Sequence, residues 1–334
     1  MKGQRNLWLA GLLGLLLGAC GVQAPRHTAQ IDPGDESGIG GTGILASESG
    51  LGGTGIVGEI TGFGSIFVNG AEVELSAQTS LTVDGEPVAR HAFAVGEVVA
   101  LRAESRAGRL EAAEAHVRHE VIGPVTRVAR GRIEVLGQPV RLAQQTQPRL
   151  GAWVAVSGFR APDGVIHATR IAPARAGTAL VVGTPQAGKG GWRIGNLRLQ
   201  LPGAPAGGEL RLRGHLRDGL LVVSQRQAVS PTPFRVPVKR LLIQGFVRPQ
   251  GAQRFAIDGL DFVPAGNLGP GLAGPLRLEL QHTAAGWRMQ RLLRPDRLPL
   301  GRPTPAPMRG GAAWPGARPA IPGRAGMGPG MPRR

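Results

Sequence analysis

Tyrosine is absent from this 334-residue chain, and all aromatics together make up only 4% of it. That scarcity argues against a nucleic-acid surface built on stacked rings. The chain has one cysteine, Cys20, which excludes an internal disulfide framework and any cysteine-cluster metal site. Lysine is nearly absent too: 3 Lys stand against 36 Arg. After the first twenty residues no apolar run is long enough to span a bilayer.

Glycine and proline are plentiful, at 54 and 28 residues. Together they argue against long helices and toward short strands and turns. The net charge of +17 is unevenly spread. Residues 20–118 hold 6 basic and 13 acidic residues, a net of −7, whereas residues 119–334 hold 31 and 9, a net of +22. Such asymmetry fits an anionic partner for the second half. A GC-rich codon bias toward Arg, Gly, Ala and Pro would produce the same excess without one.

The chain begins with Lys2 and Arg5, continues in the apolar run Leu7–Leu17, and reaches small residues before Cys20. This is the pattern of an export signal. Leu17-Gly18-Ala19-Cys20 resembles the lipobox of bacterial lipoproteins. The resemblance implies a signal peptide over 1–19 and acyl chains on Cys20 that hold the protein in the membrane. Gly21, rather than Asp, follows the cysteine and directs the expectation to the outer membrane. Residues 20–55 read as a glycine-rich tether, in which Gly38–Ile44 recurs as Gly50–Ile56. A phosphate loop is rejected there, because no helix signal or lysine follows.

From residue 56 an internal period emerges. Gly58, Gly123, Gly183 and Gly245 open four segments at steps of 65, 60 and 62 residues. Each opener precedes a strand–turn–strand, with Asn69-Gly70, Gly137, Gly195-Asn196 and Asp258-Gly259 at the turns. A third and a fourth strand follow in each segment. The reading is an all-β protein of tandem small OB-like β-barrels, at 56–119, 120–176, 177–230 and 240–294. Alternation in Leu210-Arg211-Leu212-Arg213 puts leucines inside a barrel and arginines outside. Glu111–His116 has helical propensity, but the corresponding 165–171 is β-like, so a strand is preferred. Residues 295–334, with ten Pro, eight Gly and seven Arg, are expected to be a disordered basic tail.

The stretch Ile60–Gly70, the preceding Gly-Gly-Thr-Gly-Ile elements, Val154–Gly158 and Ala168–Ile171 resemble the domain of unknown function 5666. The resemblance is close over 38–175 and weak over 180–293. It implies an exported protein, often a lipoprotein, with tandem β-barrel units, and it transfers no catalytic residue.

Candidate chemistry is sparse. His116 and His119 are three apart, which on a strand sends them to opposite faces. Asp258 and Asp261 read as turn residues rather than a calcium loop. Ser65 in Gly62-Phe63-Gly64-Ser65-Ile66 reads as a barrel-corner bend rather than a nucleophile elbow. No catalytic, cofactor or metal residues are assigned. Two functions remain open: a non-enzymatic envelope scaffold that holds a protein or glycan, and a module for lipopolysaccharide or another anionic glycan. The second would use Arg127, Arg130, Arg132, Arg198, Arg211 and Arg213, with nucleic acid disfavoured.

Overall fold

A computed structural model describes residues 53–293 except 144–147, 189, 206, 252, 267 and 269–273. The expected signal peptide, Cys20, most of the expected tether and the expected tail lie outside the described residues.

Unit 1 comprises β1 (Thr54–Gly62), β2 (Ile66–Val68), β3 (Ala71–Val83), the short β4 (Glu86–Pro87), β5 (Val98–Arg106) and β6 (Arg109–Arg118). The long β1 pairs with β5 along Thr54–Glu59 and with β2 at Ile60 and Gly62. A parallel β3–β6 ladder then closes a five-stranded ring in the order β1-β2-β3-β6-β5. This is the OB-like order, in which closure removes exposed strand edges. Glu111–His116 lies in β6, as a strand.

Unit 2 repeats the plan with β7 (Val121–Ala129), β8 (Arg132–Val135), β9 (Gln138–Arg141), β10 (Trp153–Arg160) and β11 (Ile166–Pro173). Its ring closes through parallel β9–β11 and antiparallel β7–β10. Unit 3 has β12 (Thr178–Gly183), β13 (Gln186–Gly188), β14 (Gly191–Ile194), β15 (Leu197–Gln200), β16 (Leu210–Arg217) and β17 (Leu220–Ala228). Unit 4 has β18 (Arg240–Gly245), β19 (Val247–Pro249), β20 (Phe255–Ile257), β21 (Leu260–Val263), β22 (Leu276–Thr283) and β23 (Gly286–Leu293). The strand order is the same in both, but the first strand is divided. Thr184-Pro185 separates β12 from β13, where proline has no N–H for a ladder. Phe246 separates β18 from β19. Units 1 and 2 are therefore closed barrels, and units 3 and 4 are closed only across a break in the first strand.

The period-opening glycines have one structural cause. A Cβ on Gly58 would sit 2.4 Å from the Asn69 side chain, and one on Gly123 would sit 2.3 Å from that of Leu136. On Gly183 it would lie 2.7 Å from Ile194, and on Gly245 3.1 Å from Ile257. Each opener thus lies under a residue of its own first hairpin. Asn69, Leu136 and Asp258 take positive φ at these hairpin turns, each followed by a glycine that shares it.

The four units join through their sheets. β1 of unit 1 pairs in parallel with β18 of unit 4, and β7 of unit 2 pairs antiparallel with β12 of unit 3. Units 2 and 3 share one continuous core, running from Val121 to Val223. Units 1 and 4 exchange side chains: Leu242 enters the unit 1 core, and Val57 and Ala100 enter that of unit 4. Burying Ile56, Ile60, Leu242 and Ile243 completely contributes about 1.5–3 kcal/mol each. Val98, Phe159, Ala161 and Phe246 form a small cluster of residues from units 1, 2 and 4.

Residues 178–180 belong to β12 at the start of unit 3, with Ala179 and Leu180 fully buried. Within 229–239, Val238 is buried, Phe234 packs on the unit 4 core, and the Arg235 N–H donates to Glu114 at 3.0 Å.

Candidate functional site

Arg118 ends β6, His119-Glu120 link it to unit 2, and all three residues are buried. A buried charge needs a partner, since desolvation would otherwise neutralise or expel it. Each of the three finds its partner on another element. Arg118 pairs with Asp258 at the unit 4 hairpin turn. The His119 backbone N–H donates to Asp84 Oδ1 at 2.9 Å, and its Nδ1 lies 2.7 Å from Asp84 Oδ2. Glu120 takes Arg160 Nε at 3.2 Å, while the same guanidinium donates to Gln138 Oε1 and to the carbonyls of Gly164 and Val182. Arg118 Nε remains buried without a partner.

Several titrations shift here. Burial opposes the charge on Arg118, but Asp258 and Glu120 outweigh it and hold the guanidinium more firmly protonated than usual. Burial raises Glu120, against the pull of Arg160 and Arg118. Glu209, just before β16, is pushed up to about 7 by burial and by the neighbouring carboxylates Glu120 and Asp258. Burial would raise Asp84, but its bonds with His119 win and lower it. The junction is a compensated ionic cluster that touches all four units.

Two buried amides link neighbouring units. Asn69 Nδ2 donates to Val57 O at 2.8 Å and to Leu242 O in unit 4 at 3.3 Å. Gln138 Nε2 donates to Ile194 O in unit 3 at 2.7 Å.

The six arginines singled out by sequence fall in three places. Arg127, Arg130 and Arg132 share the exposed β7–β8 hairpin. Arg198 is exposed on β15 and donates to Asp218 O at 3.1 Å. Arg211 and Arg213 do point out of their barrel, and Leu210 and Leu212 point in. The outward face is not open solvent, however, because the β3–β4 turn of unit 1 covers it. Arg213 bonds Glu86 at 3.2 Å and also the carbonyl of Asp84. Between these elements lies a cleft of about 380 Å³, lined by Asp84, Glu86, Arg211, Arg213, Gln225, Arg226 and Gln227.

His116 and His119 serve separate partners: His116 meets Thr82 and Glu114, and His119 meets Asp84. Among the described residues no group of three or more His, Cys, Asp or Glu is arranged to hold a metal ion. Ser65 lies in the turn between β1 and β2, beside Gly64 at φ +137°. Sequence reasoning missed Arg118, Glu120, Arg160 and Glu209, and it read Asp258 only as a turn residue. The one available signal was the charged triplet Arg118–Glu120 set between two apolar strands.

No curated protein and no solved structure matches the chain. A family model does match, that of the domain of unknown function DUF5666, over residues 54–115 and 122–172. These two segments fall on units 1 and 2, each of which is similar to a DUF5666 unit.

Proposed function

We propose that the protein is a lipid-anchored, non-enzymatic interaction scaffold of the bacterial envelope. In this reading Cys20 carries the acyl chains, the residues between Cys20 and β1 form the tether, and the four units act as one binding body. The observation that carries it is the joining of units by β1–β18 and β7–β12 pairing around a compensated ionic cluster. Such joining favours a fixed surface over independently moving beads. The test has two arms. Cys20→Ser should release the body from the envelope fraction or stall its processing. Affinity capture with the full lipidated chain should retain a defined envelope component that Arg118→Ala, which breaks the junction, no longer holds. A cleaved Cys20→Ser protein that stays in the membrane would remove the anchor. Capture indifferent to the junction would remove the single-body scaffold.

A second reading has its own support. Exposed Arg127, Arg130, Arg132 and Arg198 lie in the basic part of the chain and suit an anionic glycan such as lipopolysaccharide. Retention of the full chain on heparin or lipopolysaccharide, compared with an equally basic unrelated protein, tests it. Steep weakening with salt is expected, because screening over about 8 Å leaves only close contacts effective.

A further inference from the structure

In every unit the second and third strands of the barrel form a hairpin, and the residue pair one step from its turn faces away from the barrel interior. In unit 1 that pair is Phe67 and Glu72, in unit 2 Glu134 and Pro139, and in unit 4 Ala256 and Asp261. Each joins one carboxylate with one uncharged residue. Unit 3 instead sets Arg193 directly opposite Arg198. Directly opposed residues hold their Cβ atoms about 5 Å apart, and like charges there are destabilising. Both arginines are exposed, while the alternating Ile194, Leu197 and Leu199 are buried on the other face.

The register places no carboxylate beside this pair. Along the same row Arg193 faces the exposed Gln186 of β13, and Arg198 faces Leu220 of β17. The strands β12 to β17 contain no Asp or Glu. The two acids between these strands lie elsewhere. Glu209 is at the ionic junction, and Asp218 is in the β16–β17 turn, where Arg198 Nη2 donates to its backbone carbonyl at 3.1 Å. Unit 2 touches unit 3 at the hairpin turns, through the Asn196 N–H and Gly137 O at 3.1 Å, but its Glu134 carboxylate accepts from Thr126 and faces Arg127 across the ladder. Among the described residues neither Arg193 nor Arg198 forms an ion pair, and the Arg193 side chain makes no hydrogen bond. The β7–β8 hairpin, by contrast, has its own carboxylate in Glu134.

We propose that this face of unit 3 takes a phosphomonoester group of an anionic glycan, bound by Arg193 and Arg198 with Gln186 beside them. The proposal rests on the anionic-glycan reading above and gives it a chemical group and a place. Each guanidinium offers a planar fork of two parallel charge-assisted donors, and Arg198 keeps N–H groups beyond the one on Asp218 O. A carboxylate has two oxygens, which one fork already fills. A phosphomonoester has three acceptor oxygens, enough for two forks and the Gln186 amide. An anion there also turns the repulsion between the two arginines into a shared attraction. The same group occurs on phosphorylated sugars and on the headgroup of phosphatidic acid.

The test uses the full chain and two probes: immobilised lipopolysaccharide, intact or stripped of its phosphates, and vesicles of phosphatidic acid compared with phosphatidylcholine. The double variant Arg193→Gln, Arg198→Gln should bind intact lipopolysaccharide about tenfold or more weakly, the loss of charge-assisted bonds. Arg248→Gln with Arg254→Gln removes the same charge from exposed positions of unit 4 and should change binding less than about twofold. Stripping the phosphates should cost the parent protein what the double variant loses, and cost the double variant little more. Arg193→Gln alone relieves a like-charge pair, so it should melt no lower than the parent and still bind more weakly. Vesicle flotation that the double variant loses assigns the group to a lipid headgroup as well, and lipopolysaccharide binding without flotation assigns it to a sugar phosphate. Equal losses in the unit 3 and unit 4 variants, or undiminished binding to stripped lipopolysaccharide, overturn the site. If the parent still outbinds an equally basic unrelated protein in that case, the glycan reading stands on the β7–β8 hairpin alone. If it does not, both fall.

Discussion

Units 1 and 2 match a family model and close their barrels with an unbroken first strand, whereas units 3 and 4 lie outside the match and divide that strand. Strand order, parallel return ladder and glycine opener are nonetheless the same in all four. A β-bulge also recurs at one place in each: at Arg102/Ala103, Ser157/Gly158, Arg213/Gly214 and Glu279/Leu280. What persists is geometry: a position that cannot hold a Cβ, a turn that needs positive φ, and a bulge that bends the strand. What is lost is the residue pattern between these points, which any suitably alternating apolar set can replace.

The comparison can be broken most severely at the bulges. A Cβ on Gly214 would lie 2.0 Å from the Val222 carbonyl oxygen, and on Gly158 2.2 Å from that of His167. These are backbone atoms, so neither can swing aside. Gly214→Ala and Gly158→Ala should each cost about 1–3 kcal/mol or more in a urea melt. Equal losses would show that matched and unmatched units rely on the bulge alike.

A comparable effect should come from the junction between units. Glu209 has a folded pKa of about 7 against 4.5 for the free group. The folded state therefore binds the extra proton, so this contribution to stability is complete below pH 4.5 and is lost as pH rises through about 7. Glu209→Gln should flatten that slope and gain about 1–3 kcal/mol at pH 8. A slope unchanged in the variant would place its origin elsewhere.

Next come the two bridging amides. Asn69→Ala removes the link from unit 1 to unit 4, and Gln138→Ala the link from unit 2 to unit 3. Each should cost about 1–2 kcal/mol, since buried backbone carbonyls lose their donor. If only the first matters, the parallel β1–β18 joint depends on its amide more than the shared core of units 2 and 3 does on its own.

The smallest change distinguishes the openers. Gly123→Ala drives a Cβ into Leu136, whereas Gly245→Ala meets Ile257 Cγ1 at 3.1 Å, a contact that a shift of a few tenths of an ångström relieves. The unit 4 substitution should cost under about 1 kcal/mol and the unit 2 substitution clearly more. Equal values would mean that the opener serves the backbone rather than the hairpin above it.

Much of the fold was legible because its signals are local. Asn69-Gly70 and Asp258-Gly259 mark turns by their own φ preferences, and alternation in Leu210–Arg213 marks a strand by its own period. The candidate site was less legible. Arg211 and Arg213 were visible as outward arginines, but nothing near them in sequence indicates that Asp84 and Glu86, more than 120 residues earlier, cover that face. Asp258 was read correctly as a turn residue, and its pairing with Arg118 across 140 residues was invisible.

By itself the sequence determined the all-β class, the four-fold period, the hairpin positions and the uneven charge, since each depends on residues within a few positions of one another. Only the tertiary structure decided that unit 1 joins unit 4 and unit 2 joins unit 3, that the first strand breaks in units 3 and 4, and which arginines stay unpaired. Those outcomes depend on which strand edge and which buried charge meet across the chain. A backbone edge offers the same N–H and C=O groups whatever its side chains, so its partner is chosen by the shapes and charges of the assembled units.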